Sequence, residues 1–424
     1  MSSGSPDAAT LKKPAGVASS ASKQGGQRNG RVVYVGLSGG VDSSVSAALL
    51  KGQGYKVVGV FMKNWTKDLP GMPCPWKEDF TDAKRVAVQL GIDFKVYDFQ
   101  KQYKQKVVDY MLDEFKAGRT PNPDIMCNQE IKFKLFLETA LEDGADLVAT
   151  GHYARVENSA TLPASGGAGT PQSYRRSVSS ERPLLTRSSN YSSLRASVHP
   201  RSPSEPKSLR TPRLLMAADD NKDQTYFLYR VSADALKKTI LPLGDLTKPQ
   251  VRELAEKYKL VTADKKESMG LCFVGKVGIK DFLEQYVSKK PGKIIDQKGQ
   301  TIGRHDGAIF YTIGQRHGLE VGGGLPYYVT GKNMKKNEVY VTTDLGDEKL
   351  WSSEIKLSEE HWINGAPKPE QKLMVRTRHR AKLVPVKSFK NNIAQLGEEV
   401  RALTPGQSVV FYSGSECLGG GIIV

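Results

Sequence analysis

A chain of 424 residues, 38% hydrophobic and 25% charged, is long enough for two or three domains around a sizeable core. No stretch approaches the roughly eighteen consecutive apolar residues of a spanning helix, so the composition predicts no membrane partner. The formal charge of +17 points to a polyanionic partner, although residues 1–31 hold +4 of it and residues 157–213 hold +6.

Residues 1–30 are basic, rich in Ser and Ala, nearly free of acids and without an apolar signal core. They read equally as a disordered leader or a mitochondrial transit peptide. From Arg31 the chain alternates. "RVVYVGL", "YKVVGVFM", "DFKVYDF" and "ADLVATGHY" read as strands, with helical patterns between them in "VDSSVSAALL", "FTDAKRVAVQLG" and "QEIKFKLFLETALEDG". Strands separated by helices predict an α/β domain with a parallel sheet covered on both faces, and ligands beyond the carboxyl ends of its strands. The loops after Leu37, Met62, Phe99 and Thr150 are therefore the informative ones.

Residues 157–213 interrupt the pattern with fourteen Ser and seven Pro, too little apolar surface to offset their ordering entropy. They read as a disordered Ser/Arg/Pro-rich insertion in a domain spanning 31–280. Helical patterns resume in "DNKDQTYFLYRVSADALKKTI" and "TKPQVRELAEKYKL". Short strands with Gly turns then suggest a small β domain at 281–345, and a β-barrel at 346–424.

The segment "GLSGGVDSS" sits where the first strand becomes a helix. Such a junction presents backbone N–H groups and the positive end of the helix dipole, which makes it an anion site. Gly39 and Gly40 admit a ligand close to the backbone, while Ser38, Ser43 and Ser44 add hydroxyls. Asp42 would repel phosphate unless it holds a cation or orients the loop, and it is assigned to Mg²⁺. No GK[ST] follows, so this is not a Walker A loop.

Four cysteines, none in a CxxC pair, argue against a local zinc or iron–sulfur site and for a reducing compartment. Cys127 in "TPNPDIMCNQEIKF" stands just ahead of a helical pattern, whose dipole favours a thiolate. Cys272 in "KKESMGLCFVG" follows two lysines and a glycine, also a cationic setting. Cys74 and Cys417 read as packing residues.

The glycine loop resembles the PP-loop of ATP pyrophosphatases, which cut ATP between its α- and β-phosphates. Together with "FMKNW", "TPNPDIMCNQEIKF", "ATGHYAR", "DQTYFLY", "GLCFVG", "FYTIGQRHGL" and "CLGGGII", it resembles the tRNA-specific 2-thiouridylases, the bacterial MnmA proteins and their mitochondrial counterparts. That resemblance implies ATP held by Gly36, Leu37, Ser38, Gly39, Gly40, Val41, Asp42 and Ser43, with Met62 and Gly151 at the adenine or ribose. It implies a target uridine at Asn122, Pro123 and Asp124, with Asp124 as acid/base, Cys127 as nucleophile and Cys272 carrying persulfide sulfur from a donor protein. It implies tRNA contacts at His152, Lys222, Asp223, Gln224, Arg378, His379 and Gln407, while the insertion and the basic leader point to a nuclear-encoded relative of a bacterial enzyme and so to a mitochondrial location. At position 379 an aromatic residue such as Tyr is the family's expected occupant.

Other readings stand beside these. His152 is also read as a structural histidine, "KDQ" as a helix start capped by Asp223, and Arg376, Arg378 and Arg380 as one face of a strand suited to phosphates. Two further classes remain: an adenylylating ligase or amidotransferase acting on a small metabolite, and a non-catalytic RNA-binding protein using the basic barrel.

Overall fold

The computed structural model describes residues 30–68, 74, 76–157, 211–266, 278–322 and 324–424. The first domain contains strands β1 (Val32–Gly36), β2 (Lys56–Lys63), β3 (Asp93–Asp98) and β4 (Leu147–Ala149). Two short strands, β5 (Arg155–Glu157) and β6 (Arg213–Leu215), flank the insertion, and β7 (Thr239–Ile240) follows. The sheet runs β3-β2-β1-β4-β7 and is parallel throughout. The order reverses between β1 and β4, so a crevice opens at their carboxyl ends, where open α/β sheets bind ligands. β1 is buried on both faces, as its near-continuous Val/Tyr sequence requires.

Helices Val41–Gly52 and Trp76–Leu90 cover the sheet, burying Val41, Val45, Ala47, Ala48 and Leu50 of the first and Ala83, Val86 and Ala87 of the second. The third predicted helix is longer than its apolar pattern indicated. It runs without interruption from Pro123 to Glu142, with Asn122 as N-cap and a π-helical section at Cys127–Leu135. Cys127 therefore lies in the second turn of a helix, not ahead of one. The pattern missed the first turn because the "NPD" segment reads as a proline loop, whereas a proline near a helix start is favourable. A second π-helical section, Lys104–Asp109, packs against the first. Such widened turns recur at functional sites.

The central domain is a four-stranded sheet of β8 (Gly292–Ile295), β9 (Thr301–His305), β10 (Tyr328–Asn333) and β11 (Glu338–Thr342), ordered β10-β11-β8-β9. The last domain is a closed six-stranded antiparallel barrel of β12 (Trp351–Trp362), β13 (Met374–Arg376), β14 (Val384–Lys390), β15 (Ile393–Arg401), β16 (Ser408–Ser413) and β17 (Glu416–Ile423). Its interior packs Leu357, Val375, Leu396, Phe411 and Ile423.

One feature departs from the simple domain division. The β5–β6 hairpin, which the sequence places in the catalytic segment, joins the barrel sheet through β6 against β17. Leu214 is fully buried and packs in the same cluster as Cys417, which explains the pairing. Glu157 and Arg213 are strand residues joined by an ion pair, so both ends of the insertion are tied to this hairpin. The interior of the insertion lies outside the described residues. Among the described residues no helix is long and apolar enough to cross a membrane.

Candidate functional site

The glycine loop occupies the crevice. Gly39 takes φ +77°, a left-handed conformation that favours glycine, and a Cβ there would stand 2.3 Å from the backbone oxygen of Asp79. Gly151, after β4, lies so close to the first turn of Val41–Gly52 that a Cβ would meet the Ser43 nitrogen at 2.7 Å. A Cβ on Gly36 would meet the Met62 methyl at 2.9 Å and the Phe136 ring at 3.8 Å. Thus Gly36, Gly39, Gly40, Ser43, Met62 and Gly151, scattered through the sequence, lie together as one wall at the carboxyl ends of β1, β2 and β4.

The hydroxyls divide into two groups. Ser38 N–H donates to Ser43 Oγ (3.1 Å), and Gly40 N–H donates to Ser38 Oγ (3.4 Å), so these two side chains shape the loop. Ser44 is buried and its hydroxyl donates to Gly40 O (2.8 Å). Ser44 therefore closes the helix start and is not presented to an anion, which corrects its assignment as a ligand donor. Leu37 and Val41 bury their side chains in the core, leaving only their backbone for a ligand.

Asp42 is tied to the chain itself. Its Oδ1 accepts from Lys248 Nζ (2.7 Å) and from Tyr153 Oη (2.8 Å). The cation this carboxylate meets is thus a lysine ammonium, contributed by the first residue of helix Lys248–Lys257. A cation there opposes the helix dipole, and the nearby carboxylate compensates. Among the described residues no group of three His, Cys, Asp or Glu side chains is placed to hold a metal. Sequence reasoning missed Lys248 and Tyr153; a lysine at a helix start was the one available signal. Lys248→Met leaves the Asp42 charge facing the anion site uncompensated. The expected result is a KM for ATP raised about tenfold with the fold retained, read from pyrophosphate release at varied ATP.

The Cys127 helix shares this wall. Phe136 reaches Gly36, and Phe133 lies against His152 with ring centroids 5.6 Å apart. Cys127 is buried nine residues before Phe136, on the order of 13 Å along the axis at 1.5 Å per residue. Asn122 accepts the Asp124 N–H (3.1 Å), and Asn128 donates to Phe227 O (3.0 Å), fixing the start of this helix. Cys272 lies outside the described residues. Burial raises the thiols of Cys74 and Cys417 above their ordinary range, which keeps both protonated and suits packing.

His152 is buried, with Nδ1 2.7 Å from Thr150 Oγ1 and Nε2 3.5 Å from Lys132 Nζ. Burial, with the Lys132 charge second, holds it well below the usual histidine range and therefore neutral. It supports the wall between Gly151 and Phe133, as the structural reading of this histidine expected. Asp223 is also buried. Its Oδ2 accepts from Arg376 Nη1 (3.0 Å) and Thr225 Oγ1 (2.8 Å), and its Oδ1 accepts from the Ala217 and Thr225 N–H groups. Gln224 exchanges hydrogen bonds with the Tyr153 backbone. In this structure Asp223 is buried and joins the first domain to the barrel through Arg376, while half-buried Gln224 holds the turn after β4 within its own domain.

The three arginines do not share a strand face. β13 ends at Arg376, which turns inward to Asp223, while Arg378 and Arg380 are exposed and Arg380 takes φ +63°. The alternation misled because a buried carboxylate claims the first of the three. A basic rim remains: His379 lies tilted against Phe227 (4.6 Å), and burial first, then the Arg380 charge, disfavours its protonation. A half-buried aromatic pair beside cations is chemistry suited to RNA. Gln407 donates from Nε2 to Thr120 O (2.7 Å) and Pro121 O (3.4 Å), directly before the Asn122–Asp124 segment.

The chain matches three family domains in sequence: the tRNA methyl transferase HUP domain at 31–180 and 196–276, the tRNA methyl transferase PRC-barrel domain at 280–343, and the aminomethyltransferase beta-barrel domain at 352–423. Among curated proteins it is 44% identical over 397 residues to the tRNA-specific 2-thiouridylase MnmA of Bacillus thuringiensis, covering 92% of this chain and 94% of that one. The chain belongs to the MnmA family. The MnmA of Bacillus anthracis matches with the same identity and coverage. Family membership agrees with the anion cradle at the sheet's switch point and with the three-part architecture. It leaves the individual contacts to be argued from geometry.

Proposed function

We propose that this protein is a tRNA 2-sulfurtransferase that uses ATP to convert a uridine, at the wobble position, to 2-thiouridine. The observation that carries the proposal is a glycine-loop anion cradle at the end of β1 with the helix of Cys127 packed beside it through Phe136, in a chain of the MnmA family. The HUP and PRC-barrel domain descriptions mention methyl transfer. A pyrophosphate cradle has no task in that chemistry, so the 2-thiouridylase reading is favoured.

Uridine O2 attacks the α-phosphorus of ATP, the bond to the β-phosphate oxygen breaks, and pyrophosphate leaves into the glycine loop. Preorganised donors count most where charge develops, and the leaving pyrophosphate is such a place. Asp124 is the candidate acid/base at the base, which flips out of its stack to reach this recess. A magnesium ion, where bound, would neutralise phosphate charge, and Asp42, whose Oδ1 is held by Lys248 and Tyr153, is the candidate residue to meet it through its other oxygen. The terminal sulfur of a persulfide on Cys272, loaded by a cysteine desulfurase or a relay protein, attacks C2 and AMP leaves with the former O2. Cys127 thiolate then attacks the Cys272 sulfur, the S–S bond breaks, and its electron pair remains on the 2-thiouridine. The product disulfide between Cys127 and Cys272 needs two electrons from a thiol reductant before another turnover.

A mitochondrial site of action is part of this proposal, supported by the basic, acid-poor leader. Labelled-sulfur transfer tests the chemistry. Cys127→Ser is expected to accept a persulfide and release pyrophosphate but to yield no thiolated tRNA, whereas Cys74→Ser remains active. Normal thiolation by Cys127→Ser would overturn the two-cysteine mechanism.

A further inference from the structure

Segments from all three domains meet at Thr120. From the barrel, Pro405 O accepts the Thr120 N–H (2.8 Å), and Gln407 Nε2 donates to the carbonyls of Thr120 and Pro121. Gly406, at φ +91°, lies so close that a Cβ would stand 2.8 Å from the Thr120 nitrogen and 2.9 Å from the Arg119 Cβ. From the central domain, Thr312 Oγ1 lies 3.2 Å from Thr120 Oγ1.

The barrel turn is itself held under strain. Ala402 takes φ +57°, costly for a residue with a Cβ, and Arg378 Nη2 donates to its carbonyl (2.7 Å). Gly314 of the central domain presses on the same alanine, where a Cβ would meet the Ala402 Cβ at 2.5 Å. Such strain persists only when surrounding contacts over-determine it, and it concentrates at functional sites.

We infer that Gly406 and Gln407 are positioning residues for the base-contacting segment Asn122–Asp124, so that the barrel is part of the catalytic apparatus as well as a holder of RNA. This rests on the 2-thiouridylase reading. Pro121 and Pro123 each fix one backbone dihedral and lack an N–H, so little freedom separates the clamped carbonyls of Thr120 and Pro121 from Asp124. Asn122 removes more of it by capping the Asp124 N–H. Fixing the carbonyls therefore fixes the carboxylate three to four residues on. The resemblance assigned Gln407 to RNA; here its amide is spent on the substrate loop, and Arg378 braces the turn that carries it.

The test uses the full-length protein with substrate tRNA and two variants. Gln407→Met keeps length and removes the donor; Gly406→Ala forces the two turns apart. Both are expected to lower kcat for thiolation roughly 10- to 100-fold, the range a misplaced group costs, while leaving tRNA affinity unchanged; Gly406→Ala is also expected to lower the melting temperature, whereas Gln407→Met is not. Hydrogen–deuterium exchange at residues 119–126 is expected to accelerate in both, a readout that tests the clamp even if the wild type makes no 2-thiouridine. Weakened tRNA affinity with kcat retained in Gln407→Met would overturn the inference in favour of direct RNA contact. Unaltered exchange at 119–126 in both variants would overturn it outright.

Discussion

Gly39→Val is expected to reduce ATP-dependent pyrophosphate release by about 100-fold or more while tRNA binding persists. Two independent constraints act at this position. The backbone holds φ +77°, which a β-branched residue adopts only under strain. A Cβ would also stand 2.3 Å from the Asp79 backbone oxygen, and helix Trp76–Leu90 cannot withdraw without opening its core contacts at Ala83 and Ala87. The loop must then move, and the donors that meet the leaving pyrophosphate move with it. Loss of one preorganised donor of this type costs on the order of 100- to 1,000-fold in rate. The proposed tRNA surface, where Phe227 of the first domain meets His379 of the barrel, is formed by other elements. Pyrophosphate release assayed beside a filter-binding titration of tRNA separates the two. Lost tRNA binding with normal ATP turnover would reverse the roles assigned to loop and barrel.

Asp223→Ala is expected to be the most destabilising single change, by about 3–5 kcal/mol, because it leaves Arg376 charged and buried without its partner. The pair is enclosed: side-chain exposure is 9% for Arg376 and 0% for Asp223. Asp223 also accepts hydrogen bonds from Thr225 and the Ala217 backbone within its own domain, so its loss loosens that turn as well as the contact to the barrel. The double variant Asp223→Leu/Arg376→Met removes both charges and is expected to recover much of the loss. Chemical denaturation of the single and double variants measures this. A single variant as stable as the wild type would show that the ion pair does not join the domains.

The fold was largely legible because its signals are local. Alternating strands and helices marked the parallel sheet, and Gly-rich turns with alternating apolar residues marked the barrel. The glycine loop was legible because a strand ending in two glycines before a helix has few other uses. What stayed hidden depends on contacts across the sequence. Nothing near Asp42 announces Lys248, 206 positions away, and nothing in "RTRHR" shows that its first arginine turns inward to Asp223. The β5–β6 hairpin joined the barrel for a similar reason, since Leu214 carries no mark of which sheet will bury it. Gln407 was singled out by resemblance, yet its partner carbonyls belong to backbone, which no side-chain pattern reveals.

The central claim, ATP-driven 2-thiolation of tRNA, is tested most directly by nucleoside mass spectrometry. Purified protein is incubated with unmodified substrate tRNA, ATP, magnesium and a persulfide-generating cysteine desulfurase, and the digested tRNA is analysed for 2-thiouridine. The account predicts one 2-thiouridine per tRNA, with AMP and pyrophosphate formed in equal amounts, and none when ATP is omitted. Pyrophosphate release without any sulfur in the tRNA, or a methylated nucleoside in place of the thiolated one, would contradict it.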